Sequence, residues 1–180
     1  EGSLYTDERG HDWSDNPERF AALSFAAAHI CAEGLGSWRP DVVHGHDWQA
    51  GLIGEYLSHD QSDAPRIPFV FTIHNVAFHG NAPADRLDAL KLSQSRFTTE
   101  YFEFWGQISA LKAALTTADR ITTVSRTYAE ELMTPQFGMG MEGVLQSRAG
   151  VLSGIVNGID TEVWDPARDP DIKPFKTPRG

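Results

Sequence analysis

One local pattern, repeated along the chain, most constrains its fold: a short β-branched run, an abrupt polar cluster, then helical spacing. Asp41-Val42-Val43-His44 leads into Gly45-His46-Asp47-Trp48 and a helical stretch from Gln49 to Leu57. Phe69-Val70-Phe71-Thr72-Ile73 ends in His74-Asn75, and Arg120-Ile121-Thr122-Thr123-Val124 ends in Ser125 before Thr127 to Leu132. A fourth run, Gly150 to Val156, ends in Asn157-Gly158-Ile159-Asp160. Continuous rather than alternating apolar runs suit parallel strands covered on both faces. Helices between them imply βαβ crossovers, so the expected class is α/β, a Rossmann-like parallel sheet with flanking helices.

The intervening segments fill in the helices. Pro17 suits the first turn of a helix starting near Asn16, and Phe20, Leu23, Ala27 and Ile30 are spaced to form its core-facing stripe. A second helix is expected over 107–118, with Ile108, Leu111 and Leu115 on one face. Ser125 is the expected N-cap of the helix after the third run. The polar stretch 81–96 reads as loop and surface helix. From Trp164 the prolines at 166, 170, 174 and 178 mark a linker, with a domain boundary there.

Composition removes some function classes. The 180 residues suffice for one domain or most of one, and the formal net charge is −10. That argues against nucleic acid or anionic membrane as a partner, since both need clustered Lys and Arg. No apolar run approaches the ~20 residues that span a bilayer. The lone Cys31 sits in an Ala-rich stretch and reads as a small buried hydrophobe; it fits a reducing compartment.

Ligands of open α/β sheets bind at the carboxyl ends of the strands. Those ends carry His44, His46 and Asp47, then His74 and Asn75, then Ser125, then Asn157 and Asp160. His44-Gly45-His46-Asp47-Trp48 admits three readings. Asp47 could cap the following helix; the His-x-His pair could ligate a metal; or the cluster could serve sugar or proton-transfer chemistry. The metal reading needs further ligands, for which His74, His79 and Asp160 are the candidates. Trp48 and Trp13 beside imidazole and carboxylate suit a sugar, with an apolar face for the ring and polar groups for its hydroxyls. Trp38, Trp105 and Trp164 are expected to pack in the ordinary way. Asn157-Gly158 reads as a tight turn with Gly158 at positive φ.

Together these strings resemble bacterial glycogen synthases and plant starch synthases. The resemblance runs through Trp38-Arg39-Pro40-Asp41-Val42-Val43-His44-Gly45-His46-Asp47-Trp48-Gln49-Ala50-Gly51 and Phe71-Thr72-Ile73-His74-Asn75. It continues through Gly106-Gln107-Ile108-Ser109-Ala110-Leu111-Lys112-Ala113 and Ala118 to Ser125, then Gly140-Met141-Glu142-Gly143 and Val156-Asn157-Gly158-Ile159-Asp160. It implies one half of a two-domain GT-B glycosyltransferase. Such enzymes move glucose from ADP-glucose to the non-reducing end of an α-1,4-glucan with retention, and without a metal or other cofactor.

On that resemblance residues 1–163 are part of the N-terminal, acceptor-side domain, and 164–180 a linker toward a C-terminal donor-binding domain. A chain that opens on Glu1-Gly2 without Met is then expected to be an interior piece and inactive alone. Asp47 would position the acceptor hydroxyl, and His74 would help stabilise charge developing at the anomeric carbon. Trp13, His46, Trp48, Asn75 and Asn157 would line the sugar and the cleft. ADP-glucose would be held mainly by the absent parts, which accounts for a net negative charge beside a phosphate-bearing donor. The compartment implied is the bacterial cytoplasm, or a plastid for a plant source. Two other classes stay open: a metal-dependent hydrolase built on His44, His46 and Asp47, and a non-catalytic glucan-binding domain.

Overall fold

The computed structural model describes residues 2–58 and 66–173. In chain order the elements are α1 (Asn16–Glu33), β1 (Val43–His46), α2 (Ile53–Ser58), β2 (Phe69–Ile73), β3 (Asn81–Pro83), β4 (Glu103–Phe104) and β5 (Gln107–Ser109). Then follow α3 (Ala110–Thr117), β6 (Arg120–Thr123), α4 (Arg126–Leu132), α5 (Glu142–Ser147) and β7 (Leu152–Gly154). The strands β1-β2-β6-β7 form a parallel sheet in that order, while β3-β5-β4 form a small antiparallel one. The α/β reading holds. Each main strand follows the one before it in space, and the helices lie between them in sequence.

Register decides what each face carries. Val43 and Gly45 pair with Phe69 and Phe71, and Phe71 and Ile73 with Ile121 and Thr123. On that face Phe69, Phe71, Ile73 and Ile121 are buried against Ile53 of α2, Leu111 and Leu115 of α3, Leu132 of α4 and Leu145 of α5. Each such side chain contributes about 1.5–3 kcal/mol through burial. The alternate residues His44, His46 and Arg120 face the other way and are exposed. Among the described residues, then, the helices cover one face and not both. The apolar runs are continuous only because Val70 and Val42 join them on the open side.

Other local expectations shift by a residue or by an element type. In α1, Phe20 is buried, but Leu23 is exposed, and Ala21, Ser24, Ala28 and Cys31 form the inward stripe. Small residues win there because α1 lies close to the turn at 48–50, where the Ser24 hydroxyl donates to the Gln49 carbonyl at 3.3 Å. Cys31 is buried, as expected, and burial pushes its thiol up.

The helix expected over 107–118 begins only at Ala110. Residues 107–109 pair antiparallel with β3 instead, and Ser109 caps the helix by accepting from Lys112 N at 3.1 Å. Residues 81–96 hold β3 and two short 3₁₀ turns, not a surface helix. Ala82, Leu87, Leu90 and Leu92 there are buried in a second core with Phe102 and Ile108.

Ser125 caps α4, accepting from Tyr128 N at 2.9 Å. The fourth run forms a strand only at 152–154. Gly158 is not at positive φ, and the turn lies later, where Asp160 accepts from Glu162 N and Val163 N at 2.9 and 3.0 Å. Pro166 and Pro170 lie in a run of turns, while Pro174 and Pro178 fall outside the described residues. No helix among the described residues is long and apolar enough to cross a membrane.

Candidate active site at the ends of β1 and β2

Gly45 is buried between two exposed histidines, and a Cβ there would meet Phe69 Cε2 at 3.0 Å and Ala50 Cβ at 3.2 Å. A glycine thus lets the 48–50 turn fold tightly back over the strand. Just beyond it Asp47 takes φ 53°, ψ −177°. That region belongs almost wholly to glycine, and holding a side chain in it costs on the order of 1–3 kcal/mol.

The strain turns the carboxylate away from the turn it precedes. Asp47 makes no cap to residues 48–50; its Oδ1 reaches across to the next strand end instead. There it accepts from His74 N at 2.8 Å and from Asn75 N at 3.3 Å. The Asp47 N–H in turn donates to Thr72 O at 3.0 Å. Two strand ends are thereby locked in one geometry. Both amides use Oδ1, so Oδ2 keeps its acceptor capacity. The 74–75 peptide bond is trans, as are all those among the described residues, so the His74 carbonyl points opposite to the Asn75 N–H, away from the Asp47 carboxylate.

The imidazoles form a second layer. His46 Nδ1 and His74 Nε2 are 3.0 Å apart, a hydrogen bond in which one ring nitrogen carries the proton and the other accepts. The His44 ring stacks 4.2 Å from that of His46. Its Nε2 meets Thr72 Oγ1 at 2.7 Å, and Thr72 meets Thr122 Oγ1 at 2.6 Å. Partial desolvation, and then the His46 and His74 rings, hold His44 below the ordinary imidazole range. His44 is therefore neutral near pH 7. Of the three readings of this cluster, helix capping by Asp47 is not realised. Among the described residues no group of three His, Cys, Asp or Glu is placed to hold a metal.

Trp48 is half-buried. Phe20 meets it edge-on at 4.9 Å, and Gly80 lies so close that a Cβ there would fall 2.3 Å from the indole. Trp13 is 36 % exposed, and its Nε1 donates to Ser3 O at 3.1 Å within the N-terminal loop. The Asn75 side chain folds back, its Oδ1 accepting from Ala77 N at 3.0 Å. Asn157 is exposed beyond β7. The structure thus joins Asp47, His46, His74 and Asn75 directly. Spacing alone could not reveal Thr72 and Thr122, because their link to His44 depends on the register between β1, β2 and β6.

Trp38, Trp105 and Trp164 are 58, 86 and 69 % exposed, so none packs as the sequence suggested. Trp105 and its strained backbone were signalled by no motif.

The chain is similar to proteins of established type. It is 64 % identical over 179 residues to a glycogen synthase of Jannaschia sp. (strain CCS1), covering 99 % of this chain and 37 % of that one. It is 55 % identical to a glycogen synthase of Paracoccus denitrificans (strain Pd 1222), covering 99 % and 36 %. Among solved structures, the catalytic domain of starch synthase IV from Arabidopsis thaliana, bound to ADP and acarbose, superposes with a TM-score of 0.75. That match has 29 % identity and covers 89 % of this chain and 33 % of that one. The chain spans a little over a third of the length of its curated relatives. The starch synthase catalytic domain profile matches residues 1–147, and this chain belongs to that family.

Proposed function

We propose that this chain is the acceptor-side part of a retaining glucan synthase, which transfers glucose from ADP-glucose to the 4-hydroxyl at the non-reducing end of an α-1,4-glucan. The observation that carries this reading is the strained Asp47, whose carboxylate grips the His74 and Asn75 amides while leaving Oδ2 to a ligand. Relatives named glycogen synthases, and a similar catalytic domain bound to ADP and acarbose, support the substrate classes.

Asp47 positions the acceptor hydroxyl and accepts its proton. The His74 carbonyl, directed away from Asp47, is suited to the positive charge that develops at the anomeric carbon. His46 orients the His74 ring, and Asn75, Trp13, Trp48 and Asn157 border the sugar and the cleft. Residues 1–163 form the acceptor-side part, and 164–180 lead toward the donor-binding domain. That second domain supplies most of the cations for the diphosphate, since this chain's 15 Lys and Arg are outnumbered by 25 Asp and Glu. The bacterial cytoplasm is the proposed compartment, in keeping with the bacterial relatives.

The test extends the chain to the length of the Jannaschia relative and supplies ADP-glucose with glycogen. Incorporation of glucose into α-1,4 linkage is expected. Its absence in a folded, full-length protein would overturn the reading.

A further inference from the structure

Trp105 combines two features that a folding chain has no reason to keep together. It is 86 % exposed, and it sits in the two-residue turn between β4 and β5, with φ 52° at Trp105 and 78° at Gly106. Hairpin turns with positive φ at both positions select Asn, Asp and Gly. A bulky side chain in the left-handed region is an outlier, and strain of this kind collects at ligand sites.

The turn does not need the indole to form. Gly106 N donates to Glu103 Oε1 at 2.7 Å, and Ser109 N to Phe102 O at 2.8 Å. From beneath, the Lys112 ammonium, on a residue only 6 % exposed, donates to Thr99 O and Glu103 O, both at 2.7 Å.

The residue before Trp105 packs the base of the turn against two other segments. Phe104 meets Trp105 edge-on at 6.2 Å and His79 at 5.0 Å. Gly140, at φ 86°, packs so close to Phe104 that a Cβ would fall 2.9 Å from its ring, and the Trp105 Nε1 would lie 4.0 Å from that Cβ. Backbone ties join the hairpin to the candidate site. The loop that begins at His74 ends at His79 and Gly80, whose carbonyls accept from Leu111 N at 3.0 Å and Ala110 N at 3.4 Å. The hairpin is therefore fixed relative to the strand ends.

We infer that Trp105 is a stacking platform for a pyranose ring of an α-1,4-glucan, an acceptor subsite away from the reacting end; this rests on the proposed glucan reading. A flat indole offers the sugar's C–H face an apolar surface, and its Nε1–H can donate to a hydroxyl. A nucleobase would use the same face, but its phosphates need cations, and Lys112 is committed to two carbonyls.

The experiment measures maltoheptaose binding to the chain by calorimetry for wild type, Trp105→Asn and Trp105→Phe. Asparagine suits the turn, so Trp105→Asn keeps the fold and raises the unfolding midpoint. Its affinity for maltoheptaose should fall about five- to tenfold, while Trp105→Phe stays within about threefold of wild type. Unchanged affinity in Trp105→Asn, or no maltoheptaose binding by wild type, overturns the subsite.

The extended protein separates this from the broader reading. Transfer from ADP-glucose with an unaltered KM for long glucan in Trp105→Asn sinks the subsite alone. Trp105-dependent maltoheptaose binding in a protein without transfer sinks the activity and leaves the subsite standing.

Discussion

Asp47 holds its place by two different means, and substitution can separate them. Asp47→Asn keeps an oxygen for the His74 and Asn75 amides and is no more strained at φ 53° than Asp itself, but removes the proposed proton acceptor. In the full-length protein it should lower kcat by about 10²-fold or more while leaving the melting temperature close to wild type. Asp47→Ala loses the backbone ties as well, so both quantities should fall. A value of kcat near wild type in Asp47→Asn would remove Asp47 from the chemistry. A second residue-scale prediction concerns His79. Burial, opposed by a hydrogen bond to the Val76 backbone, holds its imidazole below the ordinary range, and its Nε2 has no hydrogen-bond partner. The unfolded chain therefore takes up a proton first as pH falls below about 6.5, and stability drops with it. Urea midpoints should decline from pH 7.5 to 5.5, with a shallower slope in His79→Phe. The sequence located Asp47 and His74 because both follow strand-forming runs. It could not reveal that one grips the backbone of the other, since that contact exists only after β1 and β2 pair in register.

At the scale of elements, close backbone approach decides which glycines matter. A Cβ on Gly51 would fall 2.2 Å from Ala110 O, where the segment before α2 presses on the start of α3. Gly51→Ala should destabilise by roughly 2 kcal/mol or more, read from urea unfolding. Gly143, inside α5, has nothing within 4 Å of such a Cβ, so Gly143→Ala should stabilise by about 0.5–1 kcal/mol in the same assay. A buried ion pair ties α2 to the 94–96 turn. Glu55 is fully buried and accepts from Arg96 Nε and Nη2 at 2.7 and 2.8 Å, and Arg96 lies 3.7 Å over the Tyr101 ring. Arg96→Met removes both of these charge-assisted hydrogen bonds from a buried carboxylate and should cost about 2 kcal/mol or more. The three long strand runs and the Ser125 cap were legible in the residues. The 81–109 excursion was not, because its buried Leu87, Leu90 and Leu92 follow no helical or alternating period. Tertiary pairing with β3 turned 107–109 from helix to strand, and close packing rotated α1 until Ser24, not Leu23, faced inward.

Over the whole molecule, the described residues hold one strand-end site and a sheet covered on one face. A transfer reaction needs a second wall for the donor, so the 180-residue chain should bind glucan yet move no glucose from ADP-glucose. Radiolabel incorporation by the chain alone would contradict that. The hairpin that carries Trp105 also has a chemical signature. Two carbonyls occupy the Lys112 ammonium, and burial holds its pKa below the ordinary lysine value, with Glu103 opposing. An amine deprotonated more readily than an ordinary lysine is still shielded from reagents while the hairpin stays shut. Acylation at Lys112 then becomes a clock for the opening of this segment, read peptide by peptide in a mass spectrometer. Exposed Lys91 provides the internal standard for full reactivity.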